Sequence, residues 1–215
     1  MNLRVKIFLA LLLSLQSFFS YGQVKKQRCG NVACDSFCVF EEDKKLKLPS
    51  LLKSKDSLYF RYYTNCNVVD VWSKDGVSFY GMATTYTYEP YNKKRKIRKS
   101  RKYHFVKMAL DSATAALVYN LSCGIASIPT GDSIKDDKIG SVDGSYRIFV
   151  SSTPFCICQK RYWSGSEQQN LLVTPTTDAI DSVLNLTQRR DRFIAHLKPW
   201  HFYYRDEMTV ISFHL

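Results

Sequence analysis

The sequence predicts an α+β fold: an antiparallel sheet of about six to eight strands joined in hairpins, with two amphipathic helices packed on one face. Three observations carry that expectation. Aromatic residues make up 14% of the chain, with 14 tyrosines and 13 phenylalanines, a composition that favours strands. Short runs rich in β-branched and aromatic side chains follow one another at hairpin spacing. Two stretches of helical periodicity interrupt them, and strands in runs with interspersed helices fit an antiparallel α+β architecture.

The N-terminus comes first. Arg4 and Lys6 precede an apolar run over 7–15, and Ser20 and Gly22 place small residues three and one positions before Gln23. That order reads as a secretory signal peptide over 1–22, cleaved before Gln23. A membrane anchor would need about 20 apolar residues, and Gln16 and Ser17 end the run too early. No later stretch is long and apolar enough to span a bilayer. Residues 23–57 read as a cysteine-containing N-terminal arm, held by short-range disulfides, and 58–215 as one α+β domain.

Within that domain, strands are expected at 58–64, 68–73 and 77–88, with Lys74-Asp75-Gly76 as a hairpin turn. A strand at 103–110 makes residues 93–102 the tip of a longer hairpin. Asp111 or Ser112 caps a helix carrying Ala113, Ala116, Leu117 and Leu121 on one face and ending at Gly124. Residues 129–145 read as a loop, and 146–150 with 155–163 as a hairpin. A second helix is expected to open between Thr174 and Asp178, with Pro175 in its first turn, and to end before Pro199. The polar stretch Gln188 to Arg192 is where it would break. A last hairpin pairs 200–204 with 208–213. An outer-membrane barrel is excluded, because amphipathic helices between groups of strands do not fit one.

Charge is strongly segregated. The chain carries a net charge of +12, and residues 93–102 (KKRKIRKSRK) hold eight of its bases and no acid. Beyond that tip the expected mature chain has 21 basic against 19 acidic residues, so it is nearly neutral. All seven cysteines, Cys29, Cys34, Cys38, Cys66, Cys123, Cys156 and Cys158, follow the signal segment, and in an exported chain they are disulfide candidates. The odd number leaves at least one thiol or an intermolecular bond. Cys156 and Cys158 alternate along a strand, so both face one side and reach two different neighbours. The pairing itself is open.

Motifs of known chemistry are missing. The spacing of Cys29, Cys34 and Cys38 lacks the paired arms and fourth ligand of a structural zinc site, so no metal is expected. Cys156-x-Cys158 is not the C-x-x-C of a redox site. His196 and His201 straddle Pro199 and share no helical face; His104 and His214 stand alone. Ser164-Gly165-Ser166 lacks a nucleophile elbow's second glycine and is not expected in a strand-to-helix turn. Asp132, Asp136, Asp137 and Asp143 crowd one loop without the ligand order of an EF-hand. No dinucleotide or phosphate-loop glycine pattern occurs, and no cofactor is expected. Asn120-Leu121-Ser122 and Asn185-Leu186-Thr187 match the glycosylation pattern but fall on expected helices.

The segment over 60–76 (FRYYTNCNVVDVWSKDG), the basic insertion, Met108–Ser112 as MALDS, IDSVLNL at 180–186 and MTV at 208–210 together resemble exported proteins of Bacteroidetes-type bacteria. The resemblance implies a bacterial source and a periplasmic or cell-surface location. That group has no established activity to carry over, so no functional residue is transferred.

What remains is the basic tip: Lys93, Lys94, Arg95, Lys96, Arg98, Lys99, Arg101 and Lys102. Lysines on a sheet edge discourage aggregation, but eight charges in ten residues exceed that need. Such density attracts polyanions by counterion release and phosphate or sulfate pairing. Tyr86, Tyr88, Tyr91 and Tyr103 flank it with rings that stack on bases or sugars. The expectation is an exported, non-catalytic protein binding lipopolysaccharide, an acidic glycan or extracellular DNA. The alternative is a hydrolase of a cell-envelope or dietary polymer, with a site assembled only in the fold. A cleft uniting His104, His196 or His201 with carboxylates would favour it.

Overall fold

The computed structural model describes residues 26–28, 34–35, 40–64, 66–89, 102–134, 145–197, 202–205 and 208–211. Its elements are β1 (Gln27–Arg28), α1 (Glu41–Lys45), β2 (Leu58–Thr64), β3 (Asn67–Ser73), β4 (Phe79–Glu89) and β5 (Lys102–Leu110). Then follow α2 (Ser112–Ser127), a 3-10 turn (Gly131–Ser133), β6 (Tyr146–Ser152), β7 (Cys156–Trp163), α3 (Glu167–Leu184), α4 (Leu186–Ala195), β8 (Phe202–Arg205) and β9 (Met208–Ile211). The main sheet has the order β1-β7-β6-β2-β3-β4-β5, and β8 and β9 form a separate hairpin. Six strands are antiparallel; β1 adds two residues parallel to β7. The α+β expectation holds.

Alternation along the strands divides two cores. Phe60 and Tyr62 of β2, Val69 and Val71 of β3, and Phe149 of β6 face α2 and α3, meeting Ala115, Val118, Val173 and Ile180. Their neighbours Tyr59, Tyr63, Val68 and Val150 face the other way, onto Leu46 and Leu51 of the arm. The helices thus cover one face, as expected, and the arm covers the other. Burying Leu46 and Leu51 fully contributes about 1.5–3 kcal/mol each, so the arm is part of the folded unit.

The arm's described disulfide is long-range, where the sequence suggested short-range bridges. Cys34 bonds Cys158, 124 residues away, while Asp35 bridges Gln159 on β7. Cys156 is also disulfide-bonded, as its side-sharing with Cys158 implied. Cys66, buried, and Cys123, exposed, are thiols. Cys29 and Cys38 lie outside the described residues.

The helices depart from expectation in detail. Asp111 caps α2 as foreseen, accepting from the Thr114 amide at 2.8 Å, but the buried stripe is Ala115, Val118, Ser122 and Ile125. Ala113 and Leu117 are exposed, and the helix passes Gly124 to end at Ser127. There Lys160 of β7, buried, donates to the carbonyls of Ile125, Ala126 and Ile128 at 3.1, 2.8 and 2.5 Å, a cationic cap on a negative helix end. The second helix begins at Glu167, eight residues before Pro175, because Ser166 caps it by accepting from the Gln169 amide at 3.1 Å. Pro175 sits mid-helix on an exposed face, where water can satisfy the Leu171 carbonyl it orphans. The break falls at Asn185, left-handed at φ 51°, and Gln188 to Arg192 continues as helix α4. Asparagine tolerates that conformation, and Asp181 starts α4 by accepting from the Thr187 amide and hydroxyl, both at 3.0 Å.

Gly131 opens the short turn inside the expected 129–145 loop, and a Cβ there would run into the Arg161 carbonyl oxygen. Asp132 falls within that turn, and Asp136, Asp137 and Asp143 fall outside the described residues.

Candidate functional site

Two features stand out, and the ladder of β4 with β5 leads to the first. It runs from Gly81↔Leu110 to Glu89↔Lys102 without a slip. The basic segment therefore joins the two ends of one continuous hairpin, as the sequence predicted. Lys93, Lys94, Arg95, Lys96, Arg98, Lys99 and Arg101 lie outside the described residues, as does Tyr91. Lys102 is described: its side chain is 70% exposed and 3.5 Å from Glu89. The Glu89 carboxylate also meets the His104 ring at 2.7 Å; burial raises its carboxyl, but the His104 hydrogen bond and the Lys102 charge outweigh that and hold it below the usual range. At the base of the hairpin, then, the Glu89 carboxylate is engaged by both Lys102 and His104. Tyr86 and Tyr88 both lie against Tyr103, at 6.2 and 5.3 Å between ring centres, and the Tyr103 hydroxyl donates to Glu42 of the arm at 3.1 Å. The flanking rings brace one another and the arm.

A polar cleft of about 310 Å³ is the second feature, formed where β2 turns into β3, β6 begins, β7 ends and α3 meets α4. Its walls carry two guanidiniums, Arg147 of β6 and Arg190 of α4, and two carboxylates, Asp178 and Asp181 of α3. Arg147 donates from one nitrogen to Asn170 and to Thr174, both at 2.8 Å. Arg190 is buried, with 8% of its surface exposed, and its pair with Asp191 is long at 3.5 Å. Tyr62 reaches the cleft from the core, and burial pushes its phenol up to about 12, so it stays a neutral hydrogen-bonding group. None of these residues was singled out from the sequence. Arg190 lay in the stretch expected to break the helix, and only the α3–α4 bend at Asn185 turns it inward.

Ser164 and Ser166 do occupy a strand-to-helix turn, from β7 into α3, contrary to the sequence expectation. Their hydroxyls are structural: Ser164 accepts from the Ser145 amide at 2.8 Å and Ser166 caps α3. His196 closes α4 through the Arg192 carbonyl at 2.6 Å, and neither His104 nor His196 lines the cleft. His201 and His214 are outside the described residues. Among the described residues no three of His, Cys, Asp and Glu gather as a metal site, and no helix is long and apolar enough to cross a membrane. Of the glycosylation candidates, Asn120 is exposed on α2, whereas Asn185 sits at the helix break rather than within a helix. Comparison with known protein families, curated proteins and solved structures finds no match for the chain.

Proposed function

We propose that this chain is a non-catalytic exported protein, periplasmic, surface-bound or secreted, which engages an anionic polymer through the cationic apex of the β4–β5 hairpin. The observation that carries the reading is the charge run itself: eight bases and no acid over 93–102 of an otherwise nearly neutral expected mature chain, following directly on a strand pair whose ladder reaches Glu89↔Lys102. Concentrated positive charge on a rigid stem attracts polyanions by releasing their counterions and steers them from a distance. The Glu89 carboxylate at the base is already engaged by Lys102 and His104. The long-range disulfide fits an oxidising compartment, as does the N-terminal signal pattern.

Retention of the mature chain on immobilised heparin, lipopolysaccharide and DNA tests this reading and ranks the polymers. The expected result is retention on at least one of them that disappears when the eight bases are changed to Ser or Gln. Equal elution of parent and variant on all three would reduce the hairpin to a device against aggregation.

A further inference from the structure

One long edge of the main sheet has no partner strand among the described residues. The sheet ends at β5, nine residues over Lys102–Leu110, and the β8–β9 hairpin, a sheet of its own, lies against β4. The direction of β5's backbone groups follows from its neighbours. The Tyr86 amide donates to the Cys66 carbonyl at 2.8 Å, so the even residues of β4 bond towards β3 and the odd ones towards β5. Thr85 pairs with Val106, so the even residues of β5 bond inward. Phe105, Lys107 and Ala109 therefore turn their amides and carbonyls outward, along an edge that can accept another strand.

Neither layer overhangs this edge. Met108 packs with the helix-side core and Phe105 with the arm-side core, which fixes the two faces of the strand. Val106, on the helix face, is 50% exposed, and Lys107 and Ala109, on the arm face, are exposed as well. The lysines that would guard an edge are diverted. The Lys107 ammonium donates to the Lys47 carbonyl of the arm at 2.9 Å, and Lys102 stands at the strand's end beside Glu89.

The strand is complementary to itself. Antiparallel pairing of two copies about Val106 is the register that aligns all nine residues. Val106 then meets Val106 in a close, non-hydrogen-bonded pair, Lys107 lies opposite Phe105, and Lys102 falls opposite Leu110. No like charges face one another, and an exposed β-branched pair becomes buried at the centre. Within one chain the Lys107 ammonium already lies 5.7 Å from the Phe105 ring centre, so the pairing repeats between copies a contact the strand makes by itself. The two Lys102 residues, which the basic runs precede in sequence, stand at opposite ends of the seam, where repulsion costs least.

We infer that a second copy of this chain docks on β5, antiparallel and centred on Val106, joining two seven-stranded sheets into one. Phe105 of each copy exchanges its backbone hydrogen bonds with Lys107 of the other, on either side of the central valines. A single seam of this kind belongs to the weak class of interface, under about 1,200 Å², so the dimer forms as concentration rises. This goes beyond the polymer-binding reading and does not depend on it.

Sedimentation equilibrium tests it, on the mature, disulfide-intact chain carrying Cys123→Ser to remove the exposed thiol, from about 1 µM to about 1 mM. The average mass should climb from one chain towards two. Val106→Lys sets two ammoniums face to face and should weaken association at least about tenfold, with a melting temperature near the parent's. Val106→Cys, in the same chain, should couple to itself under mild oxidation, because a non-hydrogen-bonded pair brings Cα atoms to about 4.5 Å, within disulfide reach. Ala109→Cys, also exposed but opposite Tyr103, should not. A single-chain mass at every concentration would overturn the proposal. So would a Val106→Lys dimer as tight as the parent's, or Ala109→Cys coupling as readily as Val106→Cys, since either places the contact elsewhere.

Discussion

Arg61 and Asp70 face each other across β2 and β3, with the Arg61 Nε donating to the carboxylate at 2.5 Å and both side chains sealed from solvent. The guanidinium also donates to the Pro49 carbonyl at 2.9 Å and lies 3.5 Å from Asp43 of α1, which in turn accepts from the Tyr63 hydroxyl at 2.6 Å. Burial pushes the carboxyls of Asp70 and Asp43 up, against the pull of the guanidinium, so Arg61 is what makes two carboxylates tolerable beneath the arm. Arg61→Leu should therefore lose about 3–5 kcal/mol of stability in denaturant unfolding, and adding Asp70→Leu should restore much of it. A single variant as stable as the parent would show that the pair holds nothing. The clasp was legible in principle: a charge set among aromatics in FRYYT and another in NVVDV, equidistant from the turn. What could not be read was that both strand faces are covered, so that a charge on either face is buried.

Asp75 shows the opposite electrostatics. It is exposed, and the Ser78 and Val77 amides at 2.7 and 2.8 Å hold its carboxyl well below the usual carboxylate range. Unfolding releases it to an ordinary pKa near 3.9, so below that pH the unfolded chain binds more protons. The turn's contribution is present above about pH 4 and lost as the pH falls further. Asp75→Asn should flatten the acid limb of a stability-against-pH curve; an unchanged limb would contradict the turn's role.

Among the elements, strands were easier to read than helices for a geometric reason. Alternation survives burial on both faces when aromatic and β-branched residues mark it, and every hairpin was placed within two residues. In α2 the apolar residues Ala113, Ala115, Ala116, Leu117 and Val118 are nearly continuous, so composition does not say which stripe turns inward. In α3 the cap at Ser166 was passed over because proline at 175 looked like a first turn. Asn185 is the joint between α3 and α4, and its left-handed backbone predicts that Asn185→Gly is neutral within a few tenths of a kcal/mol, while Asn185→Ala costs about 1–2 kcal/mol in thermal unfolding. Equal effects would place no demand on that residue.

The disulfides belong to this scale as well. Cys34–Cys158 closes a loop of 124 residues between the arm and β7, for which chain entropy gives a contribution of about 4–5 kcal/mol. Non-reducing peptide mapping should recover that bridge and a second on Cys156, with Cys66 and Cys123 alkylated after unfolding. Mapping that joins Cys34 to any other cysteine would show the arm to be docked differently.

For the whole molecule, the architecture is a sheet with helices on one face and a disulfide-pinned arm on the other, with the basic run falling in the sequence between the paired strands β4 and β5. The domain boundary at 57 that composition marks is a boundary in texture only, since Leu46 and Leu51 are buried beneath the strands that follow. Segregated charge was legible in the sequence because a run of bases is local. The cleft was not, because its residues come from β2, β3, β6, α3 and α4, which the fold alone brings together.

The central claim is that the hairpin binds polyanions through those bases, and the salt dependence of heparin affinity tests it most directly. Each cation–anion contact releases counterions, so the logarithm of the affinity should fall linearly with that of salt concentration, with a slope of several units, about one per contact. In the variant with Lys93, Lys94, Arg95, Lys96, Arg98, Lys99, Arg101 and Lys102 changed to Ser or Gln, the slope should drop to near zero while the melting temperature stays close to the parent's, surface changes usually costing within about 0.5 kcal/mol each. A parent whose affinity ignores salt, or a variant that keeps the parent's slope, would contradict the account.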